Sequence, residues 1–148
     1  MRSVRLIGAS GLQLWPGSDH QPLPFAAMHV SHLDGAEAFV TLDGSTIREL
    51  AGRVSLPAGN QSLAEATVPV GGATAEHFHF VSEELYFFTV GSGHLRVGDE
   101  YRDVRAGECV VIPPGAVHKL TNTGDEPITL LCCCAPAYSN DDTVLTGG

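Results

Sequence analysis

The turns in the second half of this chain are too short to join anything but antiparallel strands. Apolar runs end at Gly91-Ser92-Gly93, at Gly98-Asp99-Glu100 and at Pro113-Pro114-Gly115, and another strand-like run follows each turn. Parallel strands need a long crossover, whereas antiparallel strands join through a few residues. The sequence therefore predicts about eight antiparallel strands with no crossover helix, and a closed barrel of that size leaves room for one small ligand.

The alternation of polar and apolar residues sets the expected boundaries of this barrel. Alternation begins after Ser45, whereas the preceding residues are broken by glycine and proline into short pieces, of which residues 4–7, 12–15 and 38–40 suggest short strands. We expect an irregular arm over residues 1–44 that packs on the barrel or on a partner subunit, and a barrel over residues 45–135. Residues 136–148 form either a solvated tail or a segment folded across one end of the barrel.

Two histidines on one predicted strand are the first candidates for a functional site. His77 and His79 are two residues apart, so a strand places both imidazoles on one face. Glu84 opens the next apolar run, and His118 follows the Pro113-Pro114-Gly115 turn. Imidazoles and a carboxylate suit a divalent first-row metal. The alternative is a pair of ordinary histidines on a half-buried strand and a surface glutamate.

The spacing of these residues resembles the two sequence motifs of the cupin superfamily. The residues at the motif positions are Gly71, His77, His79, Glu84 and Gly91 in the first segment, and Gly107, Pro113, Gly115, His118 and Asn122 in the second. The resemblance implies an all-β fold, the antiparallel cupin barrel, also described as a double-stranded β-helix or jelly-roll-like barrel. It also implies one divalent transition metal per chain, held by His77, His79, Glu84 and His118. Zinc, iron, manganese, nickel and copper all remain open.

Several reactions are compatible with such a metal. A Lewis-acidic ion stabilises an enolate in cyclisation or isomerisation, whereas Fe(II) activates dioxygen. Residues 60–66 and 131–139 are similar to single-domain cupins of bacterial secondary metabolism, which include aromatic polyketide cyclases and oxygenases. We therefore expect a metal-dependent enzyme that acts on a small oxygen-rich ketone, enol or phenol in a cyclase-like or isomerase-like reaction. An Fe(II) dioxygenase and a non-catalytic binding cupin are the alternatives.

The candidate catalytic residues are Glu84 and Tyr86. Glu84 can serve as a ligand or, by loosening, as a general base, and Tyr86 and Phe88 share its strand face and are expected to face the cavity. Cys132 and Cys134 also share one face, and a thiol would line the pocket if that face points inward. The alternative for all four cysteines is that they are small buried hydrophobes. His20, His29 and His32 lack ligand-like neighbours and are expected in loops.

The net charge of the chain limits the classes of molecule that it is expected to bind. A formal net charge of −9 disfavours attraction to nucleic acid or to anionic membrane surfaces. The N-terminus lacks the apolar core of a secretory signal, so we expect a cytoplasmic protein whose partner is a small-molecule substrate. We also expect a homodimer in which residues before about Ser45 contact the partner, because the apolar pieces at residues 12–15 and 24–28 require burial.

Overall fold

The computed structural model describes residues 28–53, 55–56 and 58–147 of the chain. These residues form eleven β-strands and two short 3-10 helices, at Leu33–Gly35 and Asn140–Asp142, with no α-helix among them. The strands are β1 (Ala38–Val40), β2 (Thr46–Ala51), β3 (Ser62–Val68), β4 (His77–His79), β5 (Glu83–Val90), β6 (Ser92–Val97), β7 (Glu100–Arg105), β8 (Cys109–Ile112), β9 (His118–Asn122), β10 (Ile128–Ala135) and β11 (Thr143–Leu145).

The strands form two antiparallel sheets. One has six strands in the order β1-β2-β3-β10-β5-β8, and the other has five in the order β11-β4-β9-β6-β7. The predicted all-β antiparallel architecture is confirmed, although the strands pair as two sheets and do not close into one continuous barrel. The described residues contain more strands than the roughly eight expected, because short strands such as β1 and β11 extend the sheets at their edges.

The two sheets bury a common apolar core. Strand β3 shows why: its side chains alternate along the strand between buried and half-buried positions, as a strand with one inward face requires. Phe88 and Leu130 enter the core from the six-stranded sheet, and Leu95 and Leu120 enter it from the five-stranded sheet. Each such side chain contributes roughly 1.5–3 kcal/mol to folding relative to full exposure. The core therefore fixes how the two sheets face each other.

Two motif residues prove to be structural. Gly91 has a φ of +79°, and a Cβ there would lie 2.8 Å from the carbonyl oxygen of Pro127, so a larger residue would clash as well as strain the turn. The Asn122 amide donates to the carbonyls of Val68 and Glu126, and its oxygen accepts from the Gly124 amide. These residues join strand ends and hold the turn after β9 in place.

Strand β8 differs from our expectation. Its nearly continuous apolar sequence suggested cover on both faces, but only Ile112 is buried, while Val111 is 54% exposed and Cys109 is exposed. The interpretation was wrong because Val110 and Ile112 face the core, whereas Cys109 and Val111 lie on the opposite, exposed face. β-Branched residues favour strands whether or not both faces are covered. The interpretation of all four cysteines as buried residues also fails, because Cys109 is exposed, Cys132 and Cys133 are half-buried, and Cys134 alone of the four is buried.

Both ends of the described chain join the sheets. The strand expected at residues 38–40 is β1, which pairs with β2. Beyond residue 135 the chain is not a solvated tail, because β11 pairs with β4 along residues 143–145. His29 and His32 are exposed, as expected. The predictions for His20, for residues 4–7, for residues 12–15 and for residues 24–27 concern parts of the chain outside the described residues.

No helix among the described residues is long and apolar enough to cross a membrane.

Candidate metal centre

The two sheets bring four predicted ligand residues to one point. His77 and His79 alternate along β4 and are each 3% exposed, and β9 places His118 directly opposite His77. Glu84 comes from β5, in the other sheet. One nitrogen or oxygen from each of the four lies within 4.8 Å of the others. The structure therefore brings all four residues together. That they bind a metal stays a prediction.

The outer nitrogens of the histidines determine which nitrogen faces inward. Nδ1 of His77 lies 2.9 Å from the carbonyl oxygen of Ala75, and Nδ1 of His118 lies 2.9 Å from that of Ala116. A carbonyl oxygen only accepts, so both Nδ1 atoms must carry a hydrogen. Each Nε2 is then left with a lone pair, as a metal ligand requires.

His79 reaches the same state through a side chain. Its Nδ1 lies 3.2 Å from Thr143 Oγ1, and that hydroxyl donates its own hydrogen to the carbonyl oxygen of Ser139 at 3.0 Å. The hydroxyl has one hydrogen, so it must accept from His79. All three imidazoles are thus oriented by an outer acceptor, an arrangement common around metal-binding histidines.

His118 supplies the observation that tests whether a cation fits. Its Nε2 is the only buried side-chain nitrogen or oxygen without a hydrogen-bond partner in the described part of the chain. Glu84 Oε2 lies 3.3 Å away, outside hydrogen-bonding geometry. Two lone-pair atoms that face each other in a buried site need a positive charge between them, and a divalent cation satisfies both.

The electrostatics of the centre keep the carboxylate charged. Burial alone would raise the pKa of Glu84, but the neighbouring His118 and His79 outweigh it and lower that pKa to about 2. Burial and the nearby His118 lower the pKa of His77. For His79, burial acts to lower the pKa, but the hydrogen bond to Glu84 and its charge raise it above the ordinary value. The group therefore presents an ionised carboxylate among imidazoles, and a cation that binds Nε2 of His79 would have to displace a proton there.

A narrow cavity of about 40 Å³ adjoins the centre. Tyr86 lines it, as predicted, whereas Phe88 is completely buried in the core. Cys132 and Cys134 also line it, which confirms that their shared face points inward, and the Cys134 thiol donates to Glu84 Oε1 at 3.4 Å.

Sequence reasoning missed three polar residues of this site. Asp43 lies in the segment expected to be an irregular arm, and Tyr138 and Thr143 lie in the expected tail, yet all three line the cavity. Residues 42–44 carry a turn signal, but a turn signal does not say where the turn lies. Tyr138 and Thr143 carry no local signal, because only the pairing of β11 with β4 brings this segment to the centre.

The part of the chain that contains the candidate ligands is similar to known proteins. A family model described as a cupin domain matches residues 64–134, a segment that contains all four candidate ligands. An uncharacterized protein of Methanocaldococcus jannaschii is 43% identical over 110 residues, which cover 74% of this chain and 88% of that protein.

Solved structures share the fold. The oxalate decarboxylase of Lactobacillus farciminis superposes with a TM-score of 0.66 at 26% identity over 77% of this chain, but this chain spans only 34% of that longer one. The polyketide cyclase RemF of Streptomyces resistomycificus superposes with a TM-score of 0.65 at 24% identity, over 74% of this chain and 80% of the cyclase.

Proposed function

The chain belongs to the cupin family, and on that premise we propose that it is a metal-dependent enzyme which cyclises or isomerises a small, oxygen-rich ketone, enol or phenol. The observation that carries the proposal is the buried group of His77, His79, Glu84 and His118 at the wall of a cavity. Catalytic metal sites combine protein ligands with access for substrate. The cavity provides that access.

The four residues would hold one divalent ion through three Nε2 atoms and a Glu84 oxygen. An ion held there supplies Lewis acidity, which stabilises negative charge on an enolate or phenolate oxygen. The ligand set itself suits zinc, iron, manganese, nickel or copper.

The cavity walls determine what else the protein contributes. Ile47, Leu120 and Leu130 give the cavity an apolar lining that limits the number of water molecules around a bound substrate. Electrostatic interactions are stronger in such surroundings than in bulk water. Burial raises the pKa of Tyr86 well above its ordinary value, so its hydroxyl stays protonated and can donate to a substrate oxygen.

Glu84 acts as a ligand in this proposal. Its Oε2 lies 3.2 Å from His79 Nε2 and 3.3 Å from His118 Nε2, and its Oε1 accepts from the Cys134 thiol. Both oxygens are engaged, so loosening Glu84 to act as a base would disrupt several contacts at once. Proton transfer then falls to another group in the cavity.

The decisive experiment combines the identity of the native metal with turnover. Protein purified without chelator is analysed for metals, loaded with each candidate ion, and assayed on a panel of ketones and phenols with and without dioxygen. We expect product under anaerobic conditions and activity with zinc. The His77→Ala variant provides the background rate.

Three results would contradict the proposal in different ways. Native iron together with oxygen uptake during turnover would instead identify a dioxygenase. Tight binding of panel compounds without conversion under any metal would identify a binding protein. Turnover that persists undiminished in His77→Ala would separate the activity from the proposed centre.

A further inference from the structure

The loop between β1 and β2 delivers Asp43 to the cavity, whose lining also includes the carboxylates of Glu84 and Glu49. Asp43 is 8% exposed and lines the cavity together with the metal-centre histidines of β4. Its backbone carbonyl accepts from the amide of Ala75 at 2.6 Å, so the loop is tied to the segment just before His77. A buried carboxylate in a cavity has a cost in desolvation and requires polar partners.

Those partners all bind one of its two oxygens. Asp43 Oδ1 accepts from the hydroxyl of Thr41, from the amide of Ser45 at 3.2 Å and from the Ser45 hydroxyl at 2.8 Å. The hydroxyls of Thr41 and Ser45 also contact each other at 2.8 Å. Three donors on one oxygen fix the orientation of the carboxylate, as positioning of a catalytic group demands.

The other carboxylate oxygen of Asp43, Oδ2, can contact a ligand. No hydrogen-bond donor among the described residues contacts Asp43 Oδ2. In the same part of the chain, His118 Nε2 is the only fully buried side-chain nitrogen or oxygen without a partner, so Oδ2 is not fully buried. Oδ2 therefore keeps some accessible surface, on a residue that lines the cavity. In this respect Asp43 is the converse of Glu84, whose two oxygens both have contacts.

We infer that Asp43 is the general base of the proposed reaction and that the substrate is a ketone with an acidic hydrogen on the carbon next to its carbonyl group. This inference rests on the proposed function. Oδ2 takes the proton from that carbon, and the electron pair of the broken C–H bond moves onto the carbonyl oxygen to give an enolate. The protonated Asp43 then exchanges its proton with solvent or gives it back to the same carbon or to another atom of the substrate. The sequence of steps balances without an oxidant or a reductant.

Exchange of substrate hydrogen with solvent tests this step alone. In D2O, the metal-loaded protein should introduce deuterium next to the carbonyl of small ketones, which NMR follows directly. In Asp43→Asn the amide oxygen preserves the acceptor for Thr41 and Ser45, but the basic oxygen is gone. We expect exchange to slow by about 100-fold or more, the usual contribution of general base catalysis.

Two further measurements separate catalysis from structure. Asp43→Asn should keep the wild-type metal content by elemental analysis and should still bind the ketone in saturation-transfer NMR. Asp103→Asn, at a carboxylate that is 94% exposed on the other sheet, is the matched control and should exchange at the wild-type rate. Added formate should restore exchange in Asp43→Ser, since it can replace the missing carboxylate, and this variant also serves if Asp43→Asn does not fold.

The outcomes distinguish the two proposals. Wild-type exchange that is unchanged in Asp43→Asn, or an Asp43→Ser variant that formate does not rescue, would overturn the role of Asp43 and leave the proposed function standing. Absence of exchange and turnover in the wild-type protein with every ketone and metal would overturn both.

Discussion

Each histidine of the candidate metal centre is held by a hydrogen bond from Nδ1, the ring nitrogen that points away from the centre. The acceptors are the carbonyls of Ala75 and Ala116 and the hydroxyl of Thr143. Because the rings are already oriented, binding a metal requires little loss of side-chain freedom. The same arrangement leaves the buried Nε2 of His118 without a partner when no cation is bound.

Replacing a ligand should therefore abolish metal binding. We expect His77→Ala and His118→Ala to contain far less metal per chain than the wild type, since each removes one of only four candidate ligands. Elemental analysis of protein purified without chelator measures this. His94→Ala is the control, because His94 lies on the same sheet but its side chain is 43% exposed and bonded to Asp103. Near-stoichiometric metal in both ligand variants would contradict the assignment.

At the scale of single residues, the sequence predicted what lies close together along the chain. His77 and His79 share a strand face by simple alternation, and the motif resemblance supplied Glu84 and His118. Asp43 could not be predicted, because its place depends on the hydrogen bond from the Ala75 amide to its carbonyl, a contact with no local pattern. The sequence therefore identified the candidate ligands but not the place of Asp43 in the cavity.

At the scale of elements, the segment after β10 completes the site. Asp142 accepts from the amides of Val81 and Ser82 and from the Ser82 hydroxyl, so it clamps the loop between His79 and Glu84. Strand β11 follows at once and carries Thr143 to His79. The polar composition of residues 136–142 has no strand alternation, so neither the clamp nor β11 could be read from the sequence. Their formation depends on pairing with β4.

The hydroxyl of Thr143 should matter for metal affinity. Thr143→Val preserves the shape of the side chain but leaves His79 Nδ1 buried without an acceptor, and loss of such an outer partner typically weakens metal binding 10- to 100-fold. Competition with a chromogenic chelator measures the change. Thr146→Val is the matched control, since Thr146 bonds to Glu76 at an exposed position. Equal affinity in the two variants would show that Thr143 does not orient His79.

At the scale of the whole molecule, the candidate ligands come from both sheets. Three imidazoles belong to the five-stranded sheet, and Glu84 belongs to the six-stranded sheet. A metal held by all four would link the sheets and bind the folded state alone, because the unfolded chain does not assemble the site.

Metal removal should therefore lower the melting temperature. When the free metal concentration is about 100 times the Kd, metal binding stabilises the folded protein by about 2.7 kcal/mol. We expect Tm to fall when a chelator removes the metal and to recover when the metal is returned, as followed by circular dichroism. His118→Ala should show no metal-dependent change in Tm. If the wild-type Tm is the same with and without the metal, the sheets are not linked through this centre.

We also expect a homodimer in solution. This expectation comes from the apolar pieces at residues 12–15 and 24–28, of which the last residue, Met28, is 90% exposed in the single chain. Light scattering should give twice the chain mass of 15.6 kDa. A variant without residues 1–27, which retains β1 and Asp43, should shift toward the monomer. A monomeric mass for the full chain would refute the expectation.

The position of Thr143 sets an order of events during synthesis of the protein. Thr143 lies 64 residues after His79, so the ribosome makes it later than every candidate ligand. A nascent chain that already carries His77, His79, Glu84 and His118 still lacks the hydroxyl that selects the tautomer of His79. A domain generally folds as a unit, so its last strand must be available before the domain is complete. The centre thus reaches its final form only after β11 has left the ribosome and paired with β4.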